Sequence, residues 1–152
     1  MHDERRPPIL RNKKARHYFE FMEFTEAGIA LSGAEVKSLR KGDANFHDAH
    51  VIFRQGEAFL TGLHIAPYAN AGYTPQEPDR DRKLLLHARE IRTLAAKVEQ
   101  KGLALIPVNL HFSRGKIKVE LALARGRKLH DQRQNLKETA ELRDAGREMK
   151  LP

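Results

Sequence analysis

The sequence predicts an α+β chain, mainly β: a small antiparallel barrel, partly closed, with about three helices, a flexible basic N-terminal arm and a basic C-terminal tail. Three observations carry that expectation. Residues 104–124 hold two apolar–polar alternations around a tight turn, the mark of a hairpin with one buried face. Upstream lie a second hairpin pattern and an aromatic, β-branched stretch, separated by two helix-like segments. The surplus charge sits at the ends. Residues 1–16 carry six Lys/Arg against two Asp/Glu, residues 17–124 fourteen against thirteen, and residues 125–152 eight against five, within a net charge of +8.

A chain of 152 residues suits one domain with appendages, and its core needs no covalent staples. The absence of cysteine excludes disulfides and thiolate zinc sites and fits a reducing compartment. The start, MHDERRPPIL, has no apolar stretch behind its charges, so no secretory signal is expected. No apolar run approaches the roughly 18 residues of a membrane span. The expectation is a soluble, cytoplasmic monomer with no membrane partner.

Taken in order, RRPPILRNKKAR predicts a flexible arm to residue 16. HYFEFMEF and AGIAL predict strand, with a bend or bulge near Gly28. In SGAEVKSLRKG, Ser32 and Glu35 make a capping box, Val36 and Leu39 an apolar face, and Gly42 a stop. HVIF and AFLTGLHI flank a turn at Gln55-Gly56. PYANAGYTPQEPDRDR is a long loop. KLLLHAREIRTLAAKVEQKG predicts the longest helix, with Leu84, Ile91, Leu94, Ala95 and Val98 on one side and Gly102 at its end. Ile106, Val108, Leu110 and Phe112, then Ile117, Val119, Leu121 and Leu123, form the last hairpin about Arg114-Gly115. From residue 130 a thin apolar stripe, interrupted by Gly146, predicts a helix that forms only on a partner. The barrel is then residues 17–124 and the tail residues 125–152. An oligonucleotide-binding type of barrel suits this order, as do other small α+β folds.

The chemistry of the chain points to binding. There is no nucleophile elbow and no phosphate loop. Ser32 is a cap and Ser113 a turn residue. His47 and His50 bracket Asp48 at a metal-compatible spacing, but no second ligand pair accompanies them, so no metal and no cofactor is expected. A ribonuclease could use His17, His64, His111 or His130 with a lysine, and that reading stays open. Nucleic acid fits better. Lys13, Lys14 and Arg16 close the arm, Arg80, Arg82 and Lys83 precede the long helix, and Arg125, Arg127, Lys128 and Arg133 leave the last strand. Tyr68 and Tyr73 in the long loop could stack on unpaired bases. A general basic RNA-binding protein with no dedicated RNA is the other open reading.

Five blocks add to this. NKKARHYF, EAGIALSGAEVKSLRKGDAN, GEAFLTGLHIAPY, RKLLLHAREI and VELALARGRKLHDQR occur in order at close spacing. Together they resemble the SmpB family, whose members bind transfer-messenger RNA (SsrA RNA), over roughly residues 12 to 138. The resemblance implies a non-enzymatic bacterial ribosome-rescue factor of trans-translation. Its OB-fold-like barrel grips the tRNA-like domain of that RNA, and its tail reaches the decoding centre and empty mRNA channel of a stalled ribosome. Glu26 in EAG matches a carboxylate that accepts bonds from the RNA elbow, and Leu85 and His87 match a leucine and a His-or-Asn position at the same elbow. Lys13, Lys14, Arg16, Arg82 and Lys83 join them as expected RNA contacts. Gly126, Arg127, Lys128, His130, Asp131 and Arg133 match the basic hinge and the start of the tail, with Arg125 and Lys137 on either side. Gln132 stands where the family has lysine, and Gly146 and Glu148 also depart from its pattern.

Overall fold

A computed structural model describes residues 8–69, 72 and 76–127. The expected tail helix and the tail residues Lys128, His130, Asp131, Arg133 and Lys137 lie outside the described residues, as does Tyr73.

The element order is β1 (Leu10–Arg11), α1 (Ala15–Tyr18), β2 (Phe19–Ile29), α2 (Gly33–Arg40), β3 (Ala44–Arg54), β4 (Glu57–Ile65), β5 (Arg82–Leu85), α3 (Ala88–Lys101), β6 (Ala104–Ser113) and β7 (Lys116–Gly126). The strands form one antiparallel sheet in the order β1-β6-β7-β2-β5-β4-β3. β3 packs back across β6, so the sheet curls into a nearly closed barrel. Leu39, Leu60, Leu63, Ile65, Leu84, Leu105, Leu110, Val119, Leu121 and Leu123 fill it.

Turn chemistry sets both long hairpins. Gln55 and Gly56 have φ of 51° and 77°, and Arg114 and Gly115 have 53° and 77°. Two successive residues with positive φ match the right-handed twist of the flanking strands. In α2, Ser32 Oγ accepts from the Glu35 amide at 3.2 Å and Glu35 Oε1 accepts from the Ser32 amide at 2.9 Å, the expected capping box. Gly102, in the left-handed region, ends α3.

Three expectations are corrected. The arm is not free to residue 16: β1 pairs with β6, and the Asn12 amide and side chain donate to Val108 O and Pro107 O at 2.9 and 2.8 Å. Those carbonyls lie at a bulge between Pro107 and Asn109. The bulge also reverses the alternation, so Leu105 and Leu110 enter the main core while Ile106 packs with Ala15 and Ala124 outside it. In β2 the irregularity lies between Phe21 and Glu23, not at Gly28. The long helix starts at Ala88, because Arg82–Leu85 are a strand joining β2 to β4. Leu84 is therefore a strand residue of the barrel core. The run Leu84-Leu85-Leu86 shows no alternation, so its pattern favours helix, yet a strand is required there to complete the sheet.

β5 is held by an ion cluster. The Arg82 side chain is fully buried and donates to Glu35 Oε2 at 2.7 Å and to the carbonyls of Leu63, Arg80 and Pro78. Arg80 donates to both oxygens of the same carboxylate. Burial pushes the Glu35 carboxyl up. Hydrogen bonds from Arg80, the Ser32 amide and Arg82, with the Arg82 charge, outweigh it and hold the group below its ordinary value of 4.5. A depressed carboxylate stabilises the fold fully above about pH 4.5 and loses that contribution as pH falls through the folded-state value. Urea titrations should therefore show wild type losing more stability than Glu35→Gln below about pH 4.5. Arg82→Met leaves Glu35 with Arg80 as its one remaining arginine and takes a charged donor from three carbonyls, and should cost about 3 kcal/mol at neutral pH.

Candidate nucleic-acid interface

Strand pairing sets two rungs of side chains on the outer face of the sheet. Arg11, Asn109, Glu120 and Glu26 stand opposite one another across β1, β6, β7 and β2. His111, Lys118, Gly28 and Leu85 do so across β6, β7, β2 and β5. The intervening rung of Leu110, Val119 and Ala27 points into the core. The period-two alternation of strands thus turns Glu26 outward and Ala27 inward.

Gly28 explains the rest of the EAG block. A Cβ there would lie 3.1 Å from Leu85 Cβ and 3.3 Å from its Cδ1. Without one, the Leu85 side chain lies over β2 and remains 57% exposed. His87, two residues on, keeps an extended backbone as the N-cap of α3, and its amide donates to Glu90 Oε1 at 3.0 Å. Period two therefore puts Leu85 and His87 on the same side. Glu26 and Leu85 thus stand in successive outward rungs of β2 and β5, and exposed His87 lies two residues beyond Leu85. The Glu26 carboxylate is half exposed and contacts His111 Nε2 at 2.8 Å. His111 Nδ1 faces Asn109 Oδ1 at 2.8 Å, and Asn109 Nδ2 donates to Glu120 Oε1 at 3.2 Å.

A second group gathers at the other end of β2. Phe19 pairs with Gly126 and Glu20 with Arg125, whose guanidinium donates to Glu20 at 3.0 Å. The Arg127 amide donates to Tyr18 O at 2.9 Å and its side chain donates to Arg16 O at 3.2 and 3.3 Å. Arg16 stacks over Phe21 at 5.0 Å, and Lys13 and Lys14 are exposed in the turn before α1. Arm and tail bases thus form one basic surface. Seven residues of strand, roughly 20 Å, separate it from Glu26.

Arg82 is withdrawn from the RNA-contacting set, since its buried guanidinium is spent on Glu35 and three carbonyls. Arg80 serves the same carboxylate. Lys83 faces outward beside Leu85 but pairs with Glu57 at 2.6 Å. Tyr68 is half-buried and clasped by Gln76, with Lys37 and Lys41 over its ring at 5.5 and 5.1 Å. His47 and His50 lie at a bulge of β3, where His50 contacts Asp48 O. No group of three metal-ligating side chains occurs among the described residues. No helix among them is long and apolar enough to cross a membrane. Sequence reasoning missed Asn109 and Glu120 as site residues and named His111 only as an available base. The hairpin about Arg114-Gly115 already pairs β6 with β7; the β7–β2 pairing that brings them to Glu26 leaves no local signal.

The SmpB protein family model matches residues 9–151. The chain belongs to the SmpB family. The SsrA-binding protein of Nitratidesulfovibrio vulgaris strain DP4 is 62% identical over 141 residues, which cover 93% of this chain and 92% of that one. The SsrA-binding protein of Nostoc punctiforme is 50% identical over 143 residues, 93% and 92% of the two chains. A solved chain from a study of tmRNA–SmpB at the centre of the bacterial ribosome is 47% identical, with a TM-score of 0.67, covering 94% of this chain and 100% of its own. The barrel described above is thus an SmpB barrel, and the family match spans both the Glu26 face and the basic end.

The Gly28–Leu85 contact is directly testable. Gly28→Val places a branched side chain where Leu85 rests. It should shift the Leu85 methyl resonances and cost about 1–3 kcal/mol in urea unfolding, without unfolding the barrel.

Proposed function

We propose that this chain binds the tRNA-like domain of transfer-messenger RNA and delivers it to stalled ribosomes for trans-translation. Its work is recognition and positioning, and no chemical step is assigned to it. Action on ribosomes makes it a cytoplasmic protein. The observation that supports this reading is the outward placement of Glu26 and Leu85 in successive rungs of adjacent strands, with exposed His87 just beyond, in a chain of the SmpB family.

The chemistry of that face suits RNA. A carboxylate accepts from 2′-hydroxyls and exocyclic amino groups. An exposed leucine offers an apolar platform for an unstacked base or a ribose, and a histidine at a helix N-cap can stack or donate. The second surface, with Lys13, Lys14, Arg16, Arg125 and Arg127, suits phosphates. It contributes affinity that falls with salt. In this reading the outer face selects the RNA, and residues 125–152 act on the ribosome, with Arg125, Gly126 and Arg127 as their anchored base and Lys128, His130, Asp131, Arg133 and Lys137 beyond it.

The test is binding to the isolated tRNA-like domain, with an ordinary tRNA as competitor, over a salt series. Wild type should prefer the tRNA-like domain at every salt concentration. Glu26→Gln, Leu85→Ala and His87→Ala should each lower that affinity roughly tenfold, about 1.4 kcal/mol, at unchanged salt slope. Replacing Lys13 and Lys14 with alanine should instead flatten the slope by about 1–2. Equal affinities for both RNAs would favour a general basic RNA-binding protein. Truncation after Arg127 should leave affinity within tenfold while abolishing peptide tagging on stalled ribosomes. Loss of binding, or intact tagging, would overturn the division between face and tail.

A further inference from the structure

We propose that His111, doubly protonated, is the positioning residue for Glu26: it fixes one carboxylate oxygen, cancels the carboxylate's charge beside RNA phosphates, and leaves the other oxygen to a 2′-hydroxyl or exocyclic amino donor. The inference rests on the reading that Glu26 touches RNA.

The hydrogen-bond count carries it. Glu120 is a carboxylate and only accepts, so the Asn109 amide turns its Nδ2 toward Glu120 Oε1 at 3.2 Å. Asn109 Oδ1 is then the atom that faces His111 Nδ1 at 2.8 Å. On the other side of the ring, His111 Nε2 faces Glu26 Oε2 at 2.8 Å. Both ring nitrogens therefore meet acceptors. A neutral imidazole has one N–H and would leave one of these contacts as two facing lone pairs, whereas the imidazolium satisfies both. The charged groups around the ring balance in number. Glu26 on β2 and Glu120 on β7 are acidic; Lys118 on β7 and Arg11 on β1, neighbours in the two rungs, are basic.

The electrostatic need is plain. A carboxylate at an RNA interface repels phosphates unless something offsets its charge, and a fixed imidazolium does so while sparing one acceptor oxygen. A lysine would offset the charge too, but its flexible stem would not orient the carboxylate plane.

Because His87 also lies on this face, the test uses His87→Asn as background. Affinity for the isolated tRNA-like domain is measured from about pH 6 to about pH 8.5 for His87→Asn and for His87→Asn with His111→Gln. Histidines common to both proteins cancel in the ratio. The background should lose at least fivefold in affinity relative to the double variant as pH rises, because only it has an imidazole at position 111. At the acid end, His111→Phe should weaken wild-type binding at least fivefold, and Glu26→Gln should remove most of that effect. Thermal midpoints, taken alongside, confirm that each variant is folded. Parallel pH profiles, or binding within twofold for His111→Gln at low pH while Glu26→Gln still weakens it, would refute the role of His111 and leave that of Glu26. A harmless Glu26→Gln would overturn both.

Discussion

The Glu35 carboxylate is the interaction on which the outer face around Leu85 and His87 depends. It closes the capping box that starts α2, and it holds Arg80 and Arg82 at the end of the long loop. Arg82 in turn ties down three backbone carbonyls, including Leu63 O of β4. β5 has only four residues and shares a short register with each neighbour, so its ladder alone is weak. The ion cluster fixes its place between β2 and β4. That placement sets Leu85 over Gly28 and starts α3 at His87. Two of the three residues of the face are thus held by a group that never reaches the surface.

The surface cations are organised differently. Arg16 lies over Phe21, Arg40 over Phe112 at 5.3 Å, and Lys37 and Lys41 over Tyr68. A ring orients a cation without neutralising it, so these groups keep their charge for a polyanion. Arg127 achieves the same by donating to a carbonyl. Inside the barrel a carboxylate answers the arginines, because a buried charge needs a full partner. Outside, aromatic rings and carbonyls hold some cations, and exposed carboxylates hold others, as Glu20 does Arg125 and Glu57 does Lys83. Glu26 is an outer carboxylate of the sheet that pairs with neither lysine nor arginine among the described residues; His111 contacts it on one side.

Much of this was legible in the sequence where the signal is local. The Ser32–Glu35 capping box, the turns at Gln55-Gly56 and Arg114-Gly115, and the last hairpin follow from residues within a few positions of one another. The resemblance supplied Glu26, Leu85 and His87, and strand parity gives a physical reason for the outward facing of the first two. What was not legible depends on distant partners. Leu84-Leu85-Leu86 has no alternation, so β5 cannot be told from helix without β2 and β4. Arg80, Arg82 and Lys83 look alike as a basic cluster, yet burial assigns the second to the core. Asn12 reads as part of a loose arm until the bulge carbonyls of β6 are there to accept its bonds. The network around His111 needs a strand order that no local pattern encodes.

β2 carries Glu26 near one end and joins the basic surface at the other, and this has a consequence for how the family can vary. Inserting one residue between Phe19 and Glu26 would rotate everything beyond it by half a turn of the pleat, sending Glu26 inward and Ala27 outward. Two residues would restore the facing and lengthen the strand by about 7 Å. The gauge between the two surfaces is therefore quantised. Divergence can alter which side chains stand at each end, but the span between them changes only in coarse steps or through a new bulge, so ribosome and RNA partners that evolve with this protein inherit a fixed ruler.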